Sequence, residues 1–518
     1  MSPLASRWAA RVLALAAGVG AALAQPPFGI LPGLLGFALI LVLIDRADGA
    51  RPLRAAFLRG WLAGVGYFLV SLFWLTEPFQ VNAVQQGWMA PFAVALVTAG
   101  MALFWGAAAM AYRVLAPRGV ARVLVFAGVF AAIEWLRGHV LTGFPWDLPG
   151  EAWKAGSPVS QTASLVGAYG LTWLTLVIAS APAVIREGRK GGAVVACAAG
   201  LLAALFIYGA IRLGLAPATA PNAPLLRIVQ ADVRQESKYD PEIFSSIVQR
   251  YVSLTAAPAA RTPDIVVWPE GAIPDAMEDY LAPGAWPREA IVKSLKAGQT
   301  LILGGYRLAD ANVDPPVVFN SLAAFRRQGD QLTPIGLYDK FRLVPFGEFL
   351  PFDALAGQLG IKTFVHVGDG FTAGPRPKPL RLAGLPTVQP LICYEALYPG
   401  FTREGAAASG LRPAWIVNVS NDAWFGATSG PWQHLNMASY RAIEEGLPMV
   451  RATPTGVSAV IDAFGRPLAS LPEGALGVID RPLPPALEPT PFSRFGDGPF
   501  AVMVAASLAF GRWRRTRP

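Results

Sequence analysis

The stretch Leu391-Ile392-Cys393-Tyr394-Glu395 lies where an apolar run meets a carboxylate-bearing turn. The residues before Cys393 predict a buried strand, and the residues after it have the character of a helix start. A thiol at such a corner lies next to backbone N–H groups, which lower a thiol pKa and hold an oxyanion. The other cysteine, Cys197, lies in a long apolar segment and is no plausible disulfide partner. Cys393 is therefore either a catalytic nucleophile or an inert buried cysteine, the usual fate of a free cysteine.

The composition indicates a chain with a large membrane portion. The 518 residues are 53% hydrophobic and 15% charged, and the mean hydropathy of +0.42 argues against a purely soluble protein. Within the net charge of +9, residues 221–481 carry 23 basic and 25 acidic residues. The excess positive charge therefore lies outside this region, and no basic groove for nucleic acid is indicated. Three histidines and two cysteines, widely separated, lack metal-ligand spacing, so neither a metal nor a cofactor is predicted.

Eight apolar segments approach the roughly twenty residues that a helix needs to cross a bilayer. Basic residues concentrate in alternate connections and at both ends of the chain, whereas the opposite short connections hold only Arg137 and Lys154. By the positive-inside rule, both termini are cytoplasmic and the polar region before the last segment is outside. The first segment also resembles a cleavable signal peptide, which would leave this orientation unchanged. The approximate segments are 8–24, 29–44, 57–75, 88–112, 120–137, 158–185, 191–213 and 496–511.

The polar region predicts an α/β domain, because short apolar strands alternate with helical stretches after an Ala- and Pro-rich linker at 217–222. The chain is thus predicted to form a membrane domain over 1–216, a catalytic α/β domain over 222–485 and a last transmembrane helix over 495–512. Predicted strands are 225–230, 264–268, 301–306, 317–325, 414–419, 449–452 and 457–461, and predicted helices are 241–254, 288–296 and 433–445.

Three stretches of this domain carry acid–base and nucleophilic groups. Residues 264–270 place Glu270 at the end of a buried strand, and residues 338–351 hold Lys340 and Glu348 in a segment broken by Pro and Gly. A free thiol is mostly protonated at neutral pH and needs a base, for which Glu270 is suitable. Lys340 and the backbone N–H of the residue after Cys393 are suited to hold a tetrahedral oxyanion.

Each of these groups also has a simpler interpretation. Glu270 and Lys340 would form a structural ion pair, and Glu348 would be a solvated loop carboxylate. Residues 418–426 would be a tight turn held by Asn and Asp side chains. A Ser-His triad is unsupported, because the chain has no G-x-S-x-G motif and no histidine near a serine or cysteine nucleophile in sequence.

The ordered set of motifs resembles a known family. The Glu–Lys–Cys order within Trp-Pro-Glu, Lys-x-x-Leu-Val-Pro-Phe-Gly-Glu and Ile-Cys-Tyr-Glu is similar to that of the nitrilase superfamily. With residues 417–426, Gly430-Pro-x-Gln-His434 and Arg441-Ala-Ile-Glu, the chain resembles the apolipoprotein N-acyltransferases over nearly its whole length. The resemblance implies a nitrilase-like α-β-β-α sandwich joined to a polytopic α-helical membrane domain of about eight helices.

The resemblance also implies the roles of individual residues. Glu270 would be the general base, Lys340 the oxyanion stabiliser and Cys393 the nucleophile. Two positions depart from the usual family pattern: Gly271 stands where Ser or Thr follows Trp-Pro-Glu, and Tyr239 stands where Trp follows Lys. Neither departure removes a reacting group, but both bear on the recognition of acyl chain or lipoprotein. Supporting or substrate-binding roles are implied for Glu348, Tyr394, Glu395, Tyr239, Asn421 and Trp424.

The implied reaction is ping-pong acyl transfer on the periplasmic side of the bacterial inner membrane. Cys393 would take an acyl group from a phospholipid, and the thioester would acylate the α-amino group of a diacylglyceryl-cysteine apolipoprotein. Tethering is physically sensible, because moving a sixteen-carbon chain into water costs about 12 kcal/mol. Aromatic residues near the motifs would line an apolar cleft or pack in the core; they are Phe341, Phe346, Phe349, Trp424 and Phe425.

Two other functions fit parts of the sequence. A membrane-tethered amidase would use water as the second acceptor and would stay active without the membrane segments. A sensor or transporter with a degenerate, ligand-binding domain is disfavoured, because Glu270, Lys340 and Cys393 are all present.

Overall fold

The computed structural model describes residues 7–310, 316–350 and 370–516. The chain divides into two compact units. The first comprises residues 1–216, 428–444 and 489–518, and the second comprises residues 217–427 and 445–488.

The N-terminal part of the first unit is helical. Small residues allow close approach of its helix backbones, as in many membrane proteins: a Cβ on Gly18 would overlap the Ala63 carbonyl, and one on Gly66 would overlap the Leu15 carbonyl. Its α-helices are α1 (Arg7–Ala22), α2 (Gly36–Asp45), α3 (Pro52–Ser71), α4 (Ala83–Gln86), α5 (Ala90–Leu115), α6 (Ala121–Arg137), α7 (Ala163–Ser180) and α8 (Gly188–Gly214).

Four helical stretches among the described residues are long and apolar enough to span a membrane. They are Pro52–Ser71, Ala83–Leu115, Val159–Val184 and Gly188–Gly214, and Leu31–Asp45 is a shorter apolar stretch. Helices also occupy the other predicted segments, but α1 has 16 residues and α6 has 17. Several apolar helices are therefore present, and the count of eight transmembrane helices stays a prediction.

The second unit contains two β-sheets, with strand orders β11-β1-β2-β3-β4-β5 and β10-β9-β8-β7-β6. Strands β1 to β3 are parallel, as are β6 to β8, whereas the flanking pairs are antiparallel. The strands are β1 (Leu225–Gln230), β2 (Ile265–Val267), β3 (Thr300–Asp310), β4 (Val317–Gln328), β5 (Gln331–Asp339), β6 (Val388–Ile392), β7 (Trp415–Val419), β8 (Met449–Ala452), β9 (Ser458–Ile461), β10 (Pro467–Leu471) and β11 (Gly477–Pro482).

Helices cover the outer faces of these sheets. In β1, Leu226 and Ile228 belong to the apolar core that joins the two sheets, together with Val417 of β7. Val229 has the opposite orientation and packs with Tyr251 of the helix that follows β1. The result is an α-β-β-α arrangement, in which apolar residues on both faces of a strand are buried. The helices of this unit are α9 (Phe244–Ala256), α10 (Met277–Tyr280), α11 (Trp286–Ser294) and α12 (Phe401–Ser409).

Three later helices complete the first unit: α13 (Gly430–Glu445), α14 (Pro491–Phe495) and α15 (Gly498–Thr516). Asn436 of α13 donates to the Glu151 carbonyl at 2.9 Å and accepts from the Ala155 N–H at 2.8 Å. These bonds explain why α13 groups with the first unit, although it lies within residues 222–485. The sequence-based domain limits stay a prediction, and the compact units differ from them in this helix.

Most predicted strands occur within one or two residues of their predicted bounds, and β1 and β8 match them fully. The helix predicted to start after Cys393 is present only as a short 3-10 helix. Residues Cys393–Leu397 form a single 3-10 turn, and the next helix starts at Phe401. Strands β5, β10 and β11 were not predicted, because exposed and buried residues alternate irregularly along them.

Gly304 of β3 packs closely against the loop that carries Glu270. A Cβ on Gly304 would lie 2.6 Å from the Glu270 Cα and 2.9 Å from the Pro269 carbonyl oxygen. Because these are backbone atoms, we expect Gly304→Ala to lower the free energy of unfolding by about 1–3 kcal/mol. Thermal unfolding of the purified full-length protein measures this change.

Gly305→Ala is the matched control for Gly304→Ala. A Cβ on Gly305 would be 3.0 Å from the Met277 Cε, the end of a flexible side chain that can move aside. We therefore expect a clearly lower unfolding midpoint for Gly304→Ala than for Gly305→Ala. Equal midpoints would contradict this account of the strand contact.

Candidate active site

Three buried side chains meet where strands of the second unit end. Glu270 follows β2, Lys340 follows β5 directly, and Glu348 lies in the loop beyond. The Lys340 Nζ lies 3.4 Å from the Glu270 Oε1 and 2.9 Å from the Glu348 Oε1. The structure therefore brings together the predicted base, the predicted oxyanion stabiliser and the predicted supporting carboxylate.

Asn320 of β4 links the two carboxylates. Its Nδ2 donates to the Glu270 Oε1 and to the Glu348 Oε1, at 2.7 Å each. The other Glu348 oxygen accepts from the Val344 N–H at 2.9 Å. Glu348 is thus a buried carboxylate with fixed partners, and its interpretation as a solvated loop residue is wrong. Asn320 is not among the predicted site residues, and its only signal in the sequence is a polar amide within an apolar strand.

The electrostatics of the cluster determine which groups are charged. Although burial disfavours the ammonium, the carboxylates of Glu270 and Glu348 hold the pKa of Lys340 above its ordinary value. Burial and, after it, the charge of Glu270 raise the pKa of the Cys393 thiol to about 12, although the charge of Lys340 opposes them. Lys340 is therefore a permanent cation, and Cys393 rests as a thiol. The expected lowering of the thiol pKa is wrong, because burial and a nearby carboxylate outweigh the N–H groups of one short turn.

Cys393 has an unusual backbone conformation. Its φ is +47°, in the left-handed region that costs a non-glycine residue about 1–3 kcal/mol. The residue directly follows β6 and opens the 3-10 turn Cys393–Leu397. Strain of this kind persists only where the surroundings enforce it, and it is concentrated at functional sites. This feature favours the catalytic interpretation of Cys393 over that of an inert core cysteine.

A polar chain extends from Cys393 into the second sheet. The Ser420 hydroxyl lies within hydrogen-bonding reach of the thiol and donates to the Asp422 Oδ1 at 2.7 Å. Both Asp422 oxygens accept from the Arg451 Nη2, at 2.8 and 2.6 Å. The sequence marked residues 418–426 as a turn held by polar side chains, but it did not identify Ser420 as a neighbour of the thiol.

Glu395 joins the Cys393 turn to the Lys340 loop. Its Oε1 accepts from the Tyr338 hydroxyl at 2.7 Å and from the N–H groups of Phe341 and Arg342 at 2.8 and 3.1 Å. Its Oε2 accepts from the Ile392 N–H at 2.8 Å. These four donors make Glu395 a positioning residue, since it fixes the segments on which both reacting groups lie.

The remaining predicted site residues have varied environments. Tyr394 is buried, and its ring centroid lies 5.3 Å from that of Tyr398. The Asn421 Nδ2 donates to the Gln235 Oε1 at 3.0 Å, whereas the Tyr239 side chain is 46% exposed. Trp424 is partly exposed in a 3-10 turn. The roles of these residues stay predictions.

The aromatic residues predicted to line a cleft differ in exposure. Phe346 is 52% exposed, whereas Phe425 is buried. Phe341, Phe349 and Trp424 are partly buried. The apolar cleft therefore stays a prediction, with Phe346 its best placed member.

Comparison with known families identifies the class of the second unit. Residues 225–489 match the carbon–nitrogen hydrolase family. Residues 17–181 match the N-terminal domain of apolipoprotein N-acyltransferases. The second unit therefore has the nitrilase-like fold of carbon–nitrogen hydrolases, attached to a helical region of another kind.

Curated relatives are similar along the whole chain. An apolipoprotein N-acyltransferase of Caulobacter vibrioides is 57% identical over 96% of this chain and 94% of its own length. One of Bradyrhizobium diazoefficiens is 39% identical over 98% of this chain and 95% of its own length. The chain belongs to the apolipoprotein N-acyltransferase family, and the resemblance inferred from its motifs is confirmed. The protein is accordingly an acyltransferase of bacterial membranes.

Solved structures are more distant. A mutant of an amidase of the nitrilase superfamily from Nesterenkonia is 17% identical and covers 52% of this chain and 94% of its own, with a TM-score of 0.34. A carbon–nitrogen hydrolase from Helicobacter pylori G27 is 13% identical and covers 57% of this chain and 94% of its own, with a TM-score of 0.35.

We expect Glu395→Gln to lower the free energy of unfolding by about 1–3 kcal/mol and to slow turnover. The Glu395 carboxylate now accepts hydrogen bonds from backbone N–H groups. In the glutamine variant, one of these N–H groups would face an NH₂ group and lose its acceptor. Thermal unfolding and acyl-transfer rates of the full-length protein measure both effects. Glu404→Gln removes an exposed carboxylate of α12 and is the control. Identical behaviour of the two variants would contradict the proposed role of Glu395.

The same variant gives a pH test. Burial raises the pKa of Glu395 from its ordinary 4.5 to about 7, although its hydrogen bonds oppose the shift. Glu395 therefore keeps its proton to higher pH in the folded state than in the unfolded state. The stability that the protonated Glu395 contributes is fully present below about pH 4.5 and is lost as the pH rises to about 7. We expect unfolding midpoints of Glu395→Gln to lack this part of the pH dependence.

Alkylation of Cys393 should report its raised pKa. In a Cys197→Ser background, labelling by a small neutral electrophile should become faster with pH through pH 9, since the thiol pKa is about 12. Glu270→Gln should shift the curve to lower pH, because the Glu270 charge raises the thiol pKa. Mass spectrometry at several pH values measures the rate. A plateau below pH 8 would show that a thiolate is already present.

Proposed function

We propose that the protein transfers a fatty acyl group from a phospholipid to the α-amino group of a diacylglyceryl-cysteine apolipoprotein, through a thioester on Cys393. Membership of the apolipoprotein N-acyltransferase family supports lipoprotein N-acylation. The observation that carries the mechanism is the buried Glu270–Lys340–Glu348 cluster, whose charges act on the strained Cys393.

The first half-reaction forms the thioester. Because Cys393 rests as a thiol, it needs a base, and the Glu270 Oε2 has no hydrogen-bond partner among the described residues. Glu270 takes the thiol proton while sulfur attacks the carbonyl carbon of the ester. The bond from that carbon to the glycerol oxygen breaks, Glu270 returns the proton to this oxygen, and a lysophospholipid leaves.

The second half-reaction consumes the thioester. The α-amino nitrogen of the apolipoprotein attacks the acyl carbon, and Glu270 takes a proton from the nitrogen. The carbon–sulfur bond breaks, and the proton returns to the sulfur as the amide is formed. In both halves the Lys340 ammonium and the Tyr394 N–H stabilise the oxyanion. Lys340 serves as a charge and not as a base, because its neighbours hold its pKa above the ordinary value.

We place this reaction at the outer face of the bacterial inner membrane. In this arrangement eight helices cross the membrane, both termini are cytoplasmic and the catalytic domain over 222–485 is periplasmic. The alternation of basic residues between connections supports this orientation. Both substrates carry fatty acyl chains, so a domain tethered at the bilayer receives them without moving those chains through water.

Intact-protein mass spectrometry tests the thioester. After incubation with phospholipid, we expect a hydroxylamine-labile acyl adduct on Cys393, which a diacylated lipopeptide discharges as it becomes triacylated. Cys393→Ala should form no adduct, and Glu270→Gln should form it about 10²–10⁴-fold more slowly. Cys197→Ala is the matched control and should behave as the wild type.

Three outcomes would overturn this proposal. The first is triacylated lipopeptide at the wild-type rate from folded Cys393→Ala. The second is an adduct that the lipopeptide does not discharge. The third is release of free fatty acid in place of acylated lipopeptide, which would make water the acceptor and the protein a hydrolase.

A further inference from the structure

Lys238 is a buried cation beside the active site that the proposed mechanism leaves unused. Its side chain is 3% exposed, and its Nζ makes no ion pair or hydrogen bond with the residues that the structure describes. The nearest aromatic contact is weak, since the Nζ lies 5.9 Å from the ring centroid of Tyr239. Burial lowers the pKa of Lys238 to about 8, and the charge of Glu270 only partly opposes this. No carboxylate of the described residues contacts this ammonium, so an anionic ligand at this position would stabilise it.

Gly271 makes room for this ammonium next to Glu270. A Cβ on Gly271 would lie 2.7 Å from the Lys238 Nζ, and the φ of Gly271 is +57°, a conformation that glycine adopts without strain. The cation thus lies against the backbone that carries the proposed base. By contrast, Lys340 forms ion pairs with both Glu270 and Glu348. The site therefore contains two lysines: Lys340 is in contact with two carboxylates, and Lys238 is in contact with none among the described residues.

The substrates and products of the two half-reactions indicate which anion Lys238 would bind. The ester, the amine and the amide are not anions, and Lys340 already serves the transient oxyanion. The phospholipid donor, however, carries a permanent negative charge on its phosphodiester. The phosphate and the transferred ester are attached to one glycerol, so both enter the site together.

Resting on the function proposed above, we propose that Lys238 recognises the phosphodiester of the phospholipid donor while the acyl ester lies at Cys393. The ammonium donates charge-assisted hydrogen bonds to phosphate oxygens. The paired Lys340 remains free of the phosphate, and the base Glu270 keeps its open oxygen for the proton. Lys238 is then the residue that selects phospholipids over neutral acyl esters.

The experiment compares two acyl donors with the full-length enzyme in the same micelles. One donor is phosphatidylglycerol and the other is p-nitrophenyl palmitate, which has no phosphate. Formation of the Cys393 thioester is followed by mass spectrometry, and kcat/KM is obtained for each donor. We expect Lys238→Met to lower the ratio of the two kcat/KM values by about 10- to 100-fold, as for other hydrogen bonds to charged groups. Lys238→Arg should retain most of this preference.

Lys293→Met is the matched control, because Lys293 is an exposed lysine of α11 in the same unit. It should leave the ratio as in the wild type. An unchanged ratio in Lys238→Met would overturn the proposal, and so would an equal loss with both donors, which would make Lys238 a partner of Glu270 or of the fold.

Inorganic phosphate distinguishes the lipid from a free anion. If phosphate inhibits the neutral-ester reaction of the wild type but not of Lys238→Met, while phospholipid turnover is equal in both, the subsite takes free phosphate and the lipid assignment is overturned. A wild-type enzyme that reacts with the neutral ester but not with phospholipid would overturn the proposed function as well as the role of Lys238.

Discussion

The ammonium of Lys340, buried between two carboxylates, is the interaction on which the site depends. Glu270 and Glu348 are buried near one another, and they are tolerable there because Lys340 and Asn320 contact both. Because Lys340 neutralises only one of the two carboxylates, the net charge of this cluster near the sulfur is negative. That negative charge, together with burial, explains why Cys393 rests protonated although a lysine is near.

Parallel strands place these groups. Glu270 follows β2 of the first sheet and Cys393 follows β6 of the second, so each lies at the carboxyl end of a parallel strand, and the charge of Glu270 acts on the thiol. Glu395 then fixes the two connections that carry Lys340 and Cys393 through four hydrogen bonds. The geometry of the candidate site is thus determined by strand ends and by one buried carboxylate.

The central strands could be predicted from sequence, and so could the positions of Glu270 and Cys393 at strand ends, because apolar runs end directly before both residues. Hydrogen bonds between side chains that are distant in sequence could not be predicted. Asn320 is an ordinary polar residue within β4 until the fold places it between two carboxylates. The thiol pKa was predicted in the wrong direction, since the sequence does not reveal how deeply Cys393 is buried or that the charge of Glu270 faces it. The polar residues of α13 likewise gave no sign that they bond to residues of the first unit.

The protonated state of Cys393 has a consequence for chemical durability. Peroxides and disulfides react with thiolates, and reaction slows as the thiolate fraction falls. A sulfur whose pKa is raised to about 12 presents almost no thiolate to them at neutral pH. A cysteine held in this state is slow to oxidise, and it therefore stays reduced without a partner thiol to repair it.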